Sequence, residues 1–290
     1  MQIKESHIVP ILDNPIRFQE YAVGIFSSIP TKSAIKKAIK KELIFIDEQL
    51  ATTAKFIKGS EKIILFTSEE KPLFKRFKLP LEVVFEDDYL AIINKPAGVL
   101  VSGNTFKTID NALQQNLQKS RQFDAVRPRP VHRLDYPTTG LLAIGKTNAS
   151  ILALNSLFEQ KKITKTYFAI TIGKMKTTDI INLPIDDKIA SSRYEVLQSV
   201  SSKRFALLNL VKLHPTTGRR HQLRKHLAGI GNPILGDQQY GISHLILKGK
   251  GMYLHAGVLE FTHPFTKKPM KIQKELPEAF TKIISYSLSR

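Results

Sequence analysis

From Leu81 to about Leu276 the chain runs through short strand-like and helix-like segments, never in the regular strand–helix–strand order of a parallel sheet. That order constrains the fold most: it predicts an α+β domain around a mixed, mainly antiparallel sheet, not a doubly wound one. Leu81 to Asn94 reads as a hairpin, two apolar stretches around Glu86-Asp87-Asp88, ending in Asn94-Lys95-Pro96-Ala97-Gly98. The segment before it follows another pattern. Thr31 can cap a helix running to about Lys41, Leu43 to Ile46 and Lys62 to Phe66 read as strands, and a turn falls near Asp47-Glu48. Polar Thr67 to Pro80, with prolines at 72 and 80, reads as a linker. The expected division is a small α+β domain over residues 1–70, a linker over 71–80 and a large domain over 81–290. A chain of 290 residues has material for both cores.

Composition removes some chemistries and favours one partner. The chain has no cysteine, which excludes thiol catalysis, Cys-ligated zinc and disulfides, and agrees with a reducing cytoplasm. Its first residues lack the basic and apolar runs of a signal peptide, and no stretch is apolar for long enough to span a bilayer. A cytoplasmic protein with no membrane partner is expected. Forty-four Lys+Arg against 25 Asp+Glu leave a formal charge of +19, which suits a polyanion such as nucleic acid. A merely basic soluble protein, or one that meets an anionic membrane surface, would share that total. Lys32, Lys36 and Lys40 recur every four residues, joined by Lys37, beside an apolar stripe of Ala34, Ile35, Ala38 and Ile39. Two readings fit: an RNA-docking helix, or a solvated lysine face on a small structural domain.

One cluster concentrates the chemistry. Arg127 to Gly140 carries prolines at 128, 130 and 137 and a closing glycine, so it is expected to be an irregular loop. A single carboxylate, Asp135, sits there among Arg127, Arg129, Arg133 and His132. Such surroundings keep a carboxylate ionised, available as nucleophile or base, or merely as half of a structural ion pair.

His132-Arg133-Leu134-Asp135, then two residues, then Thr138-Thr139-Gly140 resembles the signature of the RluA-type RNA pseudouridine synthases, with Thr139 where serine is usual. The resemblance continues in order: Glu86-Asp87-Asp88 with Asn94 to Gly98; Lys165-Thr166-Tyr167-Phe168-Ala169; Thr217 to Leu227; Gly231 to Asp237; and Leu254-His255-Ala256 through Pro264. It implies an isomerase that converts uridine in ribosomal or transfer RNA to pseudouridine with an essential Asp135, no cofactor and no metal. It further implies Tyr167 and Arg224 as catalytic companions, and Arg133, His132, Arg219, Arg220 and Lys95 as substrate-binding residues. The lysines at 32, 36, 37 and 40 then belong to a segment resembling the S4 RNA-binding fold. That likeness is partial: the usual Gly-x-Val-x-Val-Asn-Gly hairpin is replaced by Glu42 to Glu48. A monomer with no protein partner is expected.

The residues carry their own readings. In Lys165 to Ile172, Tyr167 alternates away from Phe168, Ile170 and Ile172; it either reaches a reacting base or packs as an ordinary sheet tyrosine. If Thr217 to Leu227 is one helix, Arg220 and Arg224 share a face. The resemblance implies that Arg224 pairs with Asp135, while Arg219, Arg220 and Lys225 read as a solvated or phosphate-binding face. His221 and His226 are five apart with no glutamate between them, which is not metal-ligand spacing, so they are read as structural. Gly140 to Thr147 is a literal match to the Walker A pattern, yet Leu141 to Ile144 reads as a buried strand instead of a phosphate-cradling turn, followed by a helix from about Ala149 to Gln160. Two rivals remain: an RNA-binding factor with a vestigial site, and a P-loop NTPase.

Overall fold

The structure, a computed structural model, describes residues 2–67, 77–247, 249 and 251–286, the last of these by its backbone alone. The chain divides into two compact units, Met1–Phe74 and Lys75–Arg290. Most of the expected linker, residues 71–76, lies outside the described residues.

The first unit contains β1 (Ile3–Ile8), β2 (Ile16–Arg17), α1 (Phe18–Tyr21), α2 (Lys32–Lys40), β3 (Ile44–Ile46), β4 (Gln49–Leu50), β5 (Phe56–Ile57) and β6 (Lys62–Phe66). Four strands form one sheet in the order β1-β6-β3-β4. Helix α2 starts where an N-cap hydroxyl is available: Thr31 Oγ1 accepts from Ala34 N at 3.2 Å. Its apolar stripe buries Ile35 and Ala38 in a core with Phe18, Phe26, Ile44 and Ile63. Lys36, Lys37 and Lys40 stay exposed, and Lys32 pairs with Glu20 at 2.5 Å. Between β3 and β4 the chain turns on Asp47 and Glu48 with φ of 46° and 66°, a conformation aspartate tolerates better than most residues.

The second unit contains β7 (Glu82–Glu86), β8 (Leu90–Lys95), α3 (Ile109–Asn116), β9 (Ala125–Pro130), β10 (Thr139–Thr147), α4 (Asn148–Glu159), β11 (Thr164–Ile172), β12 (Thr178–Ile181), β13 (Ser192–Ser202), β14 (Ala206–Pro215), α5 (Gln222–Gly229), β15 (Leu254–Thr262), β16 (Pro269–Gln273) and α6 (Glu278–Tyr286). Its sheet runs β12-β13-β14-β11-β15-β10-β8-β7, with β16 added to β15 and β9 to β10. The β10–β15 pair is parallel and the other ladders of this sheet are antiparallel. This is the mixed α+β architecture expected. Strand β10 is buried on both faces: Leu142 and Ile144 pack with Leu113 of α3, Leu141 and Ala143 with Leu154 of α4. Farther along the sheet, Leu223 and Leu227 of α5 cover Ala169, while Phe280 and Ile284 of α6 cover Ile170. Among the described residues no helix is long and apolar enough to cross a membrane.

The structure corrects two readings. The expected loop of residues 127–140 is irregular only from Val131 to Thr138. Before that, Arg127 to Pro130 continue strand β9, which among the described residues pairs with β10 alone, and an edge strand tolerates proline because one side needs no donor. The second correction concerns the arginine helix. It begins at Gln222, because His221 sits at its N-cap with φ 55° and ψ 26°, so Arg219 and Arg220 lie in the turn before it. Arg220 is exposed while Arg224 is buried, and the two share no helical face.

The junction of β10 with β15 positions everything that follows. Gly140 has φ +114°, and a Cβ there would lie 2.2 Å from Ala256 O. Beside it Thr139 Oγ1 and His255 Nδ1 are 2.8 Å apart. His255 is 1% exposed, and burial, with Lys274 assisting, lowers its pKa to about 4 from 6.5. The unfolded chain therefore takes up a proton below about pH 6.5 that the folded chain refuses. Stability from this residue is present above that value and falls on acidification, by about 2 kcal/mol between pH 7 and pH 5. Urea unfolding at the two pH values should show this loss in wild type and a smaller one in His255→Phe. An equal loss in both would place the acid sensitivity elsewhere.

Candidate active site

Asp135 lies in the segment between β9 and β10, which turns back at Thr138, whose N–H donates to Asp135 O at 3.1 Å. Two side chains hold this segment, buried Lys95 and half-buried His132, which also lines the cleft beside it. Lys95 is fully buried, and its Nζ donates to the carbonyls of Thr138 at 2.9 Å, Tyr136 at 3.3 Å and Pro96 at 2.9 Å. Burial lowers its ammonium to about 8, against the pull of the Asp135 charge. Lys95 is thus not brought into the cleft; it braces the loop. His132 Nε2 accepts from Ala143 N at 2.9 Å, and its ring packs 4.5 Å from Phe158. Burial first, then Lys165, drives its pKa down to about 3, so it is a neutral acceptor that ties the loop to β10.

Above the loop opens a cleft of about 860 Å³ whose walls include Asp135, Tyr167, Arg224, Arg133, Arg219 and His221. Tyr167 is carried by β11, with Ala256 of β15 and Leu213 of β14 as its cross-strand partners. Burial, reinforced by Asp135, pushes its phenol well above the ordinary tyrosine value, so the hydroxyl keeps its proton. Arg133 is exposed at the rim. Arg219 donates from Nε to Ile189 O at 3.2 Å, and Arg220 projects from the same turn.

Arg224 reaches Asp135 Oδ2 with Nη1 at 3.5 Å. Its closer partner is Asp237, which accepts from Nε at 2.7 Å and from Nη2 at 2.8 Å in a bidentate pair. Asp237 is 1% exposed, and its Oδ1 also accepts from the backbone N–H groups of Gln239 and Tyr240 at 3.0 and 3.1 Å. Burial raises the Asp237 carboxyl, yet Arg224 and these donors outweigh it and the net shift is downward. The Tyr240 ring lies 4.9 Å from the Arg224 guanidinium carbon. His221 completes the group, with Nε2 3.8 Å from Asp135 Oδ1 and Nδ1 3.0 Å from Tyr240 Oη.

The sequence reading did not single out Asp237, Tyr240 or His221 for this role. The one available signal for Asp237 was that a buried arginine requires a buried carboxylate, and Asp237 closes the Gly231 to Asp237 segment. The Walker-like lysine is accounted for otherwise: Lys146 is 2% exposed and bonded to Glu86 Oε1 at 2.6 Å and Asp87 O at 2.5 Å, while Thr147 caps α4. A lysine so engaged is not free to hold a phosphate. Among the described residues no group of three or more His, Asp or Glu could hold a metal ion. A carboxylate fixed beside a guanidinium, a phenol and an imidazole, inside a basic rim, can act on an electrophilic carbon or an acidic C–H of an anionic polymer.

Comparison with known proteins agrees with this chemistry. Residues 89–229 match the family described as RNA pseudouridylate synthase. The chain is 33% identical to the ribosomal large subunit pseudouridine synthase C of Rickettsia conorii, over 92% of this chain and 95% of the relative. It is 30% identical to the ribosomal large subunit pseudouridine synthase D of Nitrosomonas europaea, over 86% of this chain and 78% of the relative. Among solved structures, human RNA Pseudouridylate Synthase Domain Containing 4 aligns with a TM-score of 0.56 at 25% identity, covering 72% of this chain and 92% of that one.

Proposed function

The chain belongs to the RNA pseudouridylate synthase family, and from that premise we infer that it isomerises uridines of ribosomal RNA with Asp135 as its essential group. It is a pseudouridine synthase. The observation that carries the reading of the site is geometric: one cleft gathers Asp135, Tyr167 and Arg224 from three separate elements. Ribosomal RNA is preferred to transfer RNA because the matched relatives bear names for the large ribosomal subunit.

In the reaction the C1′–N1 bond breaks, the base turns, and C5 bonds to C1′. The proton lost from C5 is balanced by one gained at N1. Nothing is oxidised or consumed, so the scheme needs no redox cofactor and no co-substrate. The target must first leave its stack, at a cost of roughly a few kcal/mol. Exposed Arg133 reorganises the RNA around the flipped base, Tyr167 contacts the uridine, and Arg224 orients Asp135 in its ionised form, which both nucleophilic and basic roles require. Arg219 and Arg220 meet phosphates at the rim, His132 and Lys95 act through the loop they hold, and Lys32, Lys36, Lys37 and Lys40 add an RNA-docking face. A vestigial site is disfavoured by the engaged Arg224–Asp135 pair.

The test is a pseudouridine map of ribosomal and transfer RNA from wild-type and gene-deleted cells. A position in large-subunit RNA should vanish on deletion and return with the wild-type gene but not with Asp135→Asn. A change confined to transfer RNA would overturn the substrate; restoration by Asp135→Asn would overturn the site.

A further inference from the structure

His221 is an unusual residue in an unusual place. It opens α5 in the left-handed region, where side chains other than glycine are uncommon. Strain of that kind persists where the surroundings impose it, and here they are identifiable. Buried Gln222 accepts through Oε1 from Arg219 N at 3.0 Å and Thr217 Oγ1 at 2.7 Å, and donates through Nε2 to Ser191 O at 2.9 Å. The turn before α5 is therefore rigid, and it aims the imidazole into the cleft, 13% exposed.

Each ring nitrogen faces one partner. An ionised Asp135 can only accept, so the nitrogen facing it, Nε2 at 3.8 Å, is the one that bears hydrogen. Nδ1 must then accept, and Tyr240 Oη, 3.0 Å away, is a hydroxyl able to donate. The same Tyr240 lies over the guanidinium of Arg224, which meets the other oxygen of Asp135 at 3.5 Å. We propose that His221 is a positioning residue for Asp135: Tyr240 fixes its tautomer, and its Nε2–H holds one carboxylate oxygen while Arg224 holds the other. The inference rests on Asp135 being the reacting group. Both separations exceed an ordinary hydrogen bond, and catalytic hydrogen bonds commonly tighten when substrate binds.

The charged groups facing His221 are Asp135, Arg224, Arg220 and Asp237, and burial together with the two arginines outweighs the two carboxylates, lowering the imidazole from its ordinary value. Near neutrality it is uncharged and leaves the charge of Asp135 unquenched. As the pH falls through that lowered value, an imidazolium forms against Asp135 and blunts it.

Tritium release from ribosomal RNA labelled at uridine C5 reads the proposal directly, with RNA affinity measured in parallel. His221→Ala should lower kcat about 10- to 100-fold, the worth of a charge-assisted hydrogen bond. Its Kd for the RNA should change less than about threefold. His221→Gln, whose amide N–H reaches close to the position of Nε2, should recover most of the rate and displace the acid limb of the kcat–pH profile. Tyr240→Phe keeps the ring over Arg224 and removes only the tautomer lock; it should slow turnover several-fold while melting like wild type. Full-speed turnover by His221→Ala, a Gln variant no better than Ala, or an unmoved acid limb would each overturn the role. Asp135→Asn in the same assay separates the two ideas. If it is dead while His221→Ala is unimpaired, only the His221 inference fails; if it is active, the reading of the site fails with it.

Discussion

Asp135→Asn is expected to keep its fold and its RNA affinity and to lose turnover by roughly 1,000-fold or more, the scale expected when a group acting on the reacting atoms is removed. The substitution is isosteric. Asp135 sits on a loop whose shape is set by backbone contacts to Lys95 and by the Ala143–His132 bond, none of which uses its carboxylate. The side-chain partners it loses are held at 3.5 and 3.8 Å, so little stability goes with them. A melting temperature near wild type, unchanged RNA binding and no pseudouridine is the expected combination. Joint loss of melting temperature and activity would mean that Asp135 supports the structure first.

The second large effect concerns stability as well as rate. Asp237→Ala leaves the Arg224 guanidinium buried without its bidentate partner, and breaking such a pair from one side costs about 3–5 kcal/mol. For a domain of this size that corresponds to a fall in melting temperature of roughly 6–20 °C. The two orphaned N–H groups of Gln239 and Tyr240 add to the loss. Replacing both partners, Asp237→Leu with Arg224→Leu, should recover much of the stability because no charge is then stranded. It should recover none of the activity. Calorimetry and tritium release on the two variants separate these contributions, and a double variant as unstable as the single one would refute the buried-pair account.

How far the sequence carried this reading depended on whether a signal was local. The Thr31 cap, the strand over residues 62–66 and the buried run Leu141 to Ile144 follow from short-range periodicity, and the structure has each. The Walker-like string was resolved by the same local argument, since a strand buried on both faces cannot curl around phosphate. What local pattern could not supply was the interruption at His221. Thr217 to Leu227 has helical spacing throughout, and its first residues are held out of the helix by Gln222 together with the distant carbonyls of Ser191 and Ile189. The pairing of Asp237, 13 residues from Arg224, had no periodic signal either, because the bond depends on two separate segments meeting. The bonding of Lys95 was equally beyond local pattern. The resemblance made this lysine a substrate contact, whereas its ammonium is engaged by the carbonyls of Pro96, Tyr136 and Thr138.

The parallel meeting of β10 and β15 has a consequence for when the enzyme exists as an enzyme. Thr139 and His255 are 116 residues apart, yet they clasp each other at the root of the Asp135 loop. Emerging from the ribosome in order, the chain exposes Asp135 long before the strand that must slot beside β10 has been made. Pairing across so long an interval is slow, because the loop must close before any contact rewards it. A nascent chain ending before Leu254 therefore holds the signature residues without the frame that aims them. The site is framed only once β15 has inserted between β10 and β11.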